Sequence, residues 1–205
     1  MAPSDKNAQP SRLPLDPTPE TSSAKPGPSD STTRYSDDAV TLVEWDPDWP
    51  VRFQRIAQQL WQAGIPGLRS IEHIGSTAVA GLSAKPIIDL ALALDIPAGT
   101  PRVVRALESL GYAYFGTFGL RGRHFFRKGD PATIHLHAVH WRSPHWRAWL
   151  DFRDALASDP ETMERYEREK RELARKYAND RAAYTAAKGP MVRRILAETR
   201  QSRKG

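Results

Sequence analysis

The stretch EHIGSTAVAGLSAKPIIDL, residues 72–90, decides the fold of this chain. It predicts a strand over residues 69–74 and a second, more buried strand over residues 86–94. The first strand ends in Gly75 and Ser76, a pair that can lead into a helix whose free backbone N–H groups point at a phosphate. Glycine lets the backbone approach a ligand closely, and a serine hydroxyl adds a donor. We therefore predict a phosphate site at this turn.

Asp89 lies within the apolar run of the second strand, next to Ile88 and Leu90. An acid in that position has to be paired, hydrogen-bonded or bound to a metal ion, because an isolated buried charge is costly. Two interpretations stay open. Either Asp89 belongs to a functional site, or it is a structural acid that bonds neighbouring backbone or Lys85.

Outward from this stretch, the sequence predicts a mixed α/β half followed by three helices, which is the α+β class. Upstream, residues 39–44 predict a short strand, and the apolar spacing after it predicts a helix that ends near residue 63. Downstream, Thr100 and Pro101 begin a helix that stops at Gly111. The remaining predicted elements are strands over residues 112–116, 123–128 and 133–140 and helices that begin at Ser143, Asp159 and Asn179.

Residues 1–38 differ in composition from the rest of the chain. They hold seven of the 17 prolines and a net charge of −2, whereas residues 39–205 carry a net charge of +8. A proline-rich segment with so few apolar residues cannot offset the entropy lost on ordering. We therefore predict a disordered tail over residues 1–38 and one folded domain over residues 39–205.

The composition also excludes several classes of protein. The chain has no cysteine, which rules out disulfides, thiolate metal sites and cysteine catalysis and suits a reducing compartment. No run approaches the roughly 18 apolar residues of a membrane span, and the N-terminus lacks the apolar core of a signal peptide. We therefore expect a cytoplasmic protein without a membrane partner. The basic domain favours phosphate-bearing ligands, but no aromatic or arginine-rich recognition motif supports a nucleic-acid partner.

The opening stretch resembles the signature of the GrpB family, a branch of the nucleotidyltransferase-like superfamily. Further matching motifs follow in the same order and at similar spacing along the chain. They are VEWDP at residues 43–47, HLH at residues 135–137, FRD at residues 152–154, Tyr166 with Lys170, and Tyr184 with Lys188. The resemblance covers about residues 40–198, nearly all of the predicted domain.

This resemblance implies a polymerase-β-like nucleotidyltransferase core, a mixed β-sheet with flanking helices, followed by C-terminal helices. In that superfamily a Gly-Ser pair holds the phosphates, and three acids on two strands bind divalent cations. The implied reaction moves a nucleotidyl group from a nucleoside triphosphate to a small acceptor with the help of Mg²⁺ or Mn²⁺. Gly75 and Ser76 match the phosphate-binding pair, and Asp89 matches the first acid. Ser76 and Asp89 are therefore the candidate catalytic residues.

The sequence departs from the superfamily pattern at the other two acids. Ala91 occupies the second position, and the third falls near His135 or His137. Because they alternate along a strand, the two histidines share one face, and Glu72 at a strand end is a further candidate ligand. The histidines are either metal ligands beside Asp89 or a hydrogen-bonded pair on a half-buried sheet. The missing acid favours an alternative function, a catalytically degenerate protein that binds a nucleotide or phosphometabolite.

Several other side chains are candidates for binding phosphate. They are Thr77 in the turn, Lys85 before the second strand, and Arg121 and Arg123 in a glycine-containing loop. We expect Arg127 and Lys128 to belong to a solvated run of charge. Tyr184 and Lys188 lie one helical turn apart, and packing is the favoured interpretation for this pair.

Overall fold

The computed structural model describes residues 39–203. The tail predicted over residues 1–38 lies outside the described residues. Five helices, five strands and one short 3₁₀ turn follow in the described part of the chain. Their order is α1 Asp48–Gln62, β1 Leu68–Ile74, the turn Ser76–Ala78, β2 Ile88–Leu94, α2 Pro101–Glu108, β3 Ala113–Tyr114, β4 Arg123–Lys128, β5 Ile134–His140, α3 Pro144–Ser158, α4 Pro160–Lys176 and α5 Arg181–Ser202.

The five strands form one mixed sheet in the order β1-β2-β5-β4-β3. Strands β2 and β5 run parallel, and the other neighbouring pairs are antiparallel. The parallel pair sits at the centre of the sheet, so the chain crosses over between β2 and β5. A mixed sheet followed by three consecutive helices confirms the predicted α+β class.

One face of the sheet packs on α1 and α2. Side chains alternate between faces along a strand, and Ile88, Leu90, Leu92 and Leu94 of β2 all point to this side. They are fully buried against apolar residues of the two helices, among them Trp49, Leu60, Val103 and Leu107. This face is the main hydrophobic core.

The other face of the sheet lies beneath α3, α4 and α5. These helices pack on one another and on the loop between β1 and β2, in a second apolar cluster that includes Leu82, Leu156 and Ile195. Their starts agree with the prediction. The side chains of Ser143, Asp159 and Asp180 each accept a hydrogen bond from a backbone N–H of the helix that follows. Among residues 39–203, none of the helices has the length and apolar character that crossing a membrane would require.

The strand predicted over residues 39–44 is wrong. This segment forms an isolated antiparallel bridge between Val43 and Ala84 and a backbone hydrogen bond from Val40 to Ala178. It therefore ties the loop before β2 to the end of α4. A β-prone run becomes a strand only where a sheet edge is available to pair with it, and here the segment meets a loop and a helix end.

Candidate functional site

A cavity of about 350 Å³ lies between the second face of the sheet and α3–α5. Its lining comes from the ends of β1 and β2, from β4 and β5, and from all three C-terminal helices. Of the predicted site residues, the cavity brings together Gly75, Ser76, Thr77, Lys85, Asp89, Arg123, His135 and His137. Residues from distant parts of the sequence thus surround one space of the size that holds small-molecule ligands, typically about 300–1,000 Å³.

Gly75 at the end of β1 is required by its surroundings. Its φ of +71° is a left-handed conformation that side-chain-bearing residues rarely adopt. A Cβ atom built on Gly75 would lie 2.6 Å from Oδ2 of Asp89. The turn and the acid are therefore in direct contact, with no room for a larger residue between them.

The segment after Gly75 is shorter than the sequence predicted. Ser76–Ala78 forms a single 3₁₀ turn, and no helix follows it before β2. The hydroxyl of Thr77 is buried and donates to the carbonyl of Ile87, while Nε2 of His73 lies 3.0 Å from its oxygen. This chain of contacts joins β1, the turn and the start of β2, so the Thr77 hydroxyl is engaged in holding the turn.

Asp89 is held by two histidines from the adjacent strand β5. The parallel register places His135 beside Asp89 and His137 beside Ala91, on the same face. Nδ1 of His135 lies 3.2 Å from Oδ1 of Asp89, and Nε2 of His137 lies 3.7 Å from the same oxygen. Burial by itself would raise the pKa of the Asp89 carboxyl, but its interactions with both histidines outweigh burial and hold that pKa below its ordinary value.

His137 is enclosed by aromatic rings. Its ring centroid lies 5.0 Å from that of Phe125 and 5.3 Å from that of Trp149. Burial lowers the pKa of His137 below its ordinary value, although the Asp89 charge acts in the opposite direction. Neutral imidazole has one N–H, and a carboxylate only accepts, so the nitrogen that faces Asp89 carries the proton. In the described part of the chain, Nδ1 of His137 and Nε2 of His135 are buried without a hydrogen-bond partner.

Glu72, a predicted metal ligand, is engaged elsewhere. Its position on β1 pairs with Ala91 of β2, so it shares the face of Asp89. Its carboxylate forms an ion pair with Arg153 of α3 at 2.8 Å, and Arg153 also donates to the carbonyl of His73. Glu72 is not part of the cavity lining. An arginine that is 81 positions away in sequence therefore satisfies the acid, and spacing alone does not reveal that partner.

The structure corrects the assignment of the arginines. Arg121 is exposed and is not part of the cavity lining, and its carbonyl accepts a hydrogen bond from His145. Arg127, predicted to be a solvated charge, lines the cavity and packs against Phe115, Phe118 and Phe125. Strand alternation explains the difference, because Arg123, Phe125 and Arg127 of β4 share the face of His135 and His137.

Lys128 is not part of a solvated run either. It lies on the opposite face of β4 from Arg127, and its Nζ donates to the carbonyl of Leu110 at 2.7 Å. This carbonyl lies just beyond the end of α2, where a cation is favourable. Lys128 therefore caps the C-terminal end of α2 and does not line the cavity.

The donor set does not fit the two-cation site that the superfamily resemblance implies. Asp89 is the one carboxylate among the described residues that line the cavity, and Ala91 replaces the second acid. Within residues 39–203, no group of three or more His, Asp and Glu side chains is arranged to hold a metal ion. Mg²⁺ prefers several oxygen ligands, and this site offers one carboxylate flanked by imidazoles.

Sequence reasoning missed the cationic end of the cavity next to the helices. Lys170 of α4 and Arg181 of α5 line the cavity together with Tyr166, Tyr184 and Lys188. The ring of Tyr184 has Nζ of Lys85 at 5.8 Å and Nζ of Lys188 at 4.9 Å from its centroid. The available signal is the repeated spacing Tyr-x-x-x-Lys, in Tyr166 with Lys170 and Tyr184 with Lys188, which puts each pair on one helix face.

Comparison with known proteins identifies the family. The family model described as GrpB protein matches residues 39–198. The chain belongs to the GrpB family. A crystal structure of conserved protein GrpB from Enterococcus faecalis superimposes with a TM-score of 0.73 at 30% identity, covering 80% of this chain and 100% of that one. The fold described above is therefore shared within the GrpB family.

Other relatives are similar to this chain over most of the described domain. A UPF0157 protein from Pseudomonas aeruginosa is 44% identical over 166 residues, which is 78% of this chain and 67% of that protein. A UPF0157 protein from Halalkalibacterium halodurans is 34% identical over 77% of this chain and 81% of its own length. A dephospho-CoA kinase from Mycolicibacterium paratuberculosis is 31% identical, and the match spans only 46% of that protein.

Proposed function

We propose that this GrpB protein binds a phosphate-bearing small molecule of the nucleotide or phosphometabolite class in the cavity between its sheet and its C-terminal helices. One observation carries this proposal. Among the described residues that line the cavity, six are lysine or arginine and one is a carboxylate. The cations are Lys85, Arg123, Arg127, Lys170, Arg181 and Lys188.

Such a charge distribution favours anions over neutral or cationic ligands. A cleft lined by one sign of charge concentrates the opposite ion, because low-dielectric walls focus the field. Arginine guanidinium groups match the geometry of phosphate oxygens, and lysine ammonium groups provide compact point charges. A ligand with two or more negative charges would gain most from this cavity.

The aromatic wall of the cavity suits the organic part of such a ligand. Phe118, Phe125 and Trp149 line it beside the arginines of β4. The Phe118 side chain is 57% exposed, and its backbone φ is +43°, an uncommon value outside glycine. The guanidinium of Arg123 donates to the carbonyls of Thr117 and Phe118, which holds this loop in place. Exposed aromatic rings stack on nucleobases.

Nucleotidyl transfer to a small acceptor is a second candidate function. It is favoured by the contact between Gly75 and Asp89, which brings the phosphate-binding turn against an acid. The reaction would use Mg²⁺ or Mn²⁺, for which the donor set around Asp89 is incomplete. Release of pyrophosphate from nucleoside triphosphates, assayed with each cation and a panel of small hydroxyl and amine acceptors, tests this candidate.

Kinase activity of the kind named in the mycolicibacterial relative is not proposed for this chain. The match covers less than half of that protein. The phosphate-binding loop pattern G-x-x-x-x-G-K-[ST] does not occur in the 205 residues of the chain.

The binding proposal is tested by calorimetric titration of the full chain with ATP, GTP, CTP and UTP, once with Mg²⁺ and once with EDTA. Binding of any of them under either condition is expected. Thr185 is exposed and lines the cavity, whereas the adjacent Ala186 is exposed and does not. Thr185→Trp should fill the cavity and weaken binding by about tenfold or more, equivalent to roughly 1.4 kcal/mol, while Ala186→Trp should change it by less than about twofold. Absence of binding under both conditions, or equal loss in the two variants, contradicts the proposal.

A further inference from the structure

Four cations from three separate segments line the end of the cavity next to the C-terminal helices. We call Lys85, Lys170, Arg181 and Lys188 the helical cations. Lys85 precedes β2, Lys170 lies on α4, and the other two lie on α5. Lys85 and Lys188 both have their Nζ atoms within 6 Å of the Tyr184 ring centroid, at 5.8 and 4.9 Å. Tertiary structure thus gathers like charges around one buried ring.

Lys170 shows the electrostatic consequence of this arrangement. It is 1% exposed, its Nζ donates to the carbonyl of Ser83, and it lies 3.3 Å from Glu167. Burial lowers the pKa of Lys170 to about 8, and the positive charges of Lys188 and Arg171 act in the same direction against Glu167. Lys188 therefore adds positive charge near Lys170, and the Glu167 carboxylate offsets part of it.

At the end of the cavity next to the sheet, the charged group is a carboxylate that histidines contact. The Oδ1 atom of Asp89 already has the ring nitrogens of His135 and His137 at 3.2 and 3.7 Å. Ala91 supplies no second carboxylate, and Glu72 is paired with Arg153. A hydrated Mg²⁺ that bridged protein and phosphate would ordinarily use one or two carboxylates together with phosphate oxygens and waters, and here the one carboxylate already faces two imidazoles. The histidines therefore compete with such a cation for Oδ1 of Asp89, and no second carboxylate stands beside it.

We propose that this protein binds its phosphate-bearing ligand without a divalent cation, and that the helical cations supply the counter-charge. The inference rests on the proposed function and adds the ionic form of the ligand and the end of the cavity that receives its phosphates. A metal-free polyphosphate carries more negative charge than its Mg²⁺ complex. It therefore interacts more strongly with a cluster of lysine and arginine side chains.

The test is calorimetric titration of the full chain with inorganic tripolyphosphate at low ionic strength, in EDTA and in excess Mg²⁺. Binding is expected in EDTA, with equal or weaker affinity once Mg²⁺ complexes the ligand. Binding that requires Mg²⁺, or that tightens about tenfold with it, overturns the inference and leaves the proposed function standing. Failure of tripolyphosphate to bind, when a nucleoside triphosphate does bind, also overturns it. Absence of binding for both ligands refutes the proposed function itself.

Two matched variants locate the phosphate end. Lys188→Met removes one helical cation, and Arg200→Met removes an exposed charge of the same helix outside the cavity. Loss of a charged contact should weaken tripolyphosphate binding in EDTA by about tenfold in the first variant, with less than about twofold change in the second. Equal affinities in both variants overturn the assignment of this end. Circular dichroism spectra of both variants confirm that the fold is retained.

A substitution of Asp89 provides an independent test of whether a divalent cation takes part in binding. If Asp89 held a bridging cation, Asp89→Asn would weaken binding in Mg²⁺. If no cation is involved, Asp89→Asn should change the affinity by the same factor in EDTA and in Mg²⁺, because no bridging ion links the carboxylate to the ligand. A drop of about tenfold confined to the Mg²⁺ titration overturns the inference.

Discussion

On β2, Leu90 and Leu92 face the core beneath α1 and α2, whereas Asp89 lies on the opposite face and lines the cavity beneath α3–α5. Both leucines are fully buried among apolar side chains, and their contribution is burial itself. On the other face, Asp89 keeps part of its surface open to the cavity and depends on His135 and His137. The same strand therefore contributes to stability through one face and places a carboxylate in the cavity through the other.

This difference indicates which substitutions each face of the sheet tolerates. The core face accepts only groups that fill space, because interior packing leaves few voids. The cavity face tolerates polar and charged groups that add little to stability, provided that neighbours satisfy them. Substitutions on the two faces should consequently separate loss of folding from loss of binding.

The largest effect on stability is expected on the core face. Leu90→Ala leaves a cavity among Leu92, Phe126 and their neighbours, and it should lower the free energy of unfolding by about 2–5 kcal/mol. Urea denaturation followed by circular dichroism measures this loss. The fraction that stays folded should bind nucleotide with unchanged affinity. A loss below about 1 kcal/mol would break the distinction between the faces.

An acid-sensitive group on the core face gives the next largest effect. His73 pairs with Leu90, stacks on Phe53, and its pKa is lowered from 6.5 to about 4, chiefly by burial. The folded state therefore binds fewer protons than the unfolded chain between pH 6.5 and 4. The contribution of His73 to the free energy of unfolding is fully present above pH 6.5. It is lost as the pH falls towards 4, by about 3 kcal/mol in total.

The measurement compares urea unfolding at pH 7 and pH 4.5 in the wild type and in His73→Gln. Glutamine does not titrate, and its amide can still donate towards Thr77. The variant should lose about 2–3 kcal/mol less than the wild type between the two pH values. Equal losses in both proteins would show that the acid sensitivity comes from other groups.

A smaller effect on stability is expected from the cavity face. Asp89→Asn keeps an acceptor for His135 but removes the charge, and a charge-assisted hydrogen bond is stronger than a neutral one. The free energy of unfolding at pH 7 should fall by about 1–2 kcal/mol. Chemical denaturation measures it. A loss as large as that of Leu90→Ala would assign Asp89 a mainly structural role.

The smallest effect on stability is expected at the rim of the cavity. Phe118 is 57% exposed and contacts Phe125, so Phe118→Ala should lower the free energy of unfolding by about 1 kcal/mol or less. Loss of base stacking should nevertheless weaken nucleotide binding by about fivefold or more. Tripolyphosphate, which has no base, should bind as before. Equal weakening of both ligands would show that Phe118 acts on the phosphates or on the fold.

Local patterns in the sequence were sufficient to predict the elements that depend on near neighbours. The predicted helix starts at Ser143, Asp159 and Asn179 lie at or within one residue of the observed caps, because a capping side chain bonds N–H groups two or three positions away. The apolar run around Asp89 located β2, and the alternate spacing of His135 and His137 predicted their shared face. Residues 39–44 show the limit, because a β-prone segment becomes a strand only if a sheet edge is available to it.

The sequence by itself determined the α+β class, the order of α1–α5 and β1–β5, the candidate residues Gly75 and Asp89, and the resemblance to the GrpB family. Only the tertiary structure decided which charged side chains surround the cavity. Glu72 pairs with Arg153, Arg121 lies outside, Arg127 lies inside, and Lys170 is buried beside Ser83. The physical reason is the difference in sequence separation over which these interactions act. Backbone periodicity and capping act over a few residues, whereas ion pairing and burial depend on helices and strands that are distant in sequence and meet only in the folded chain.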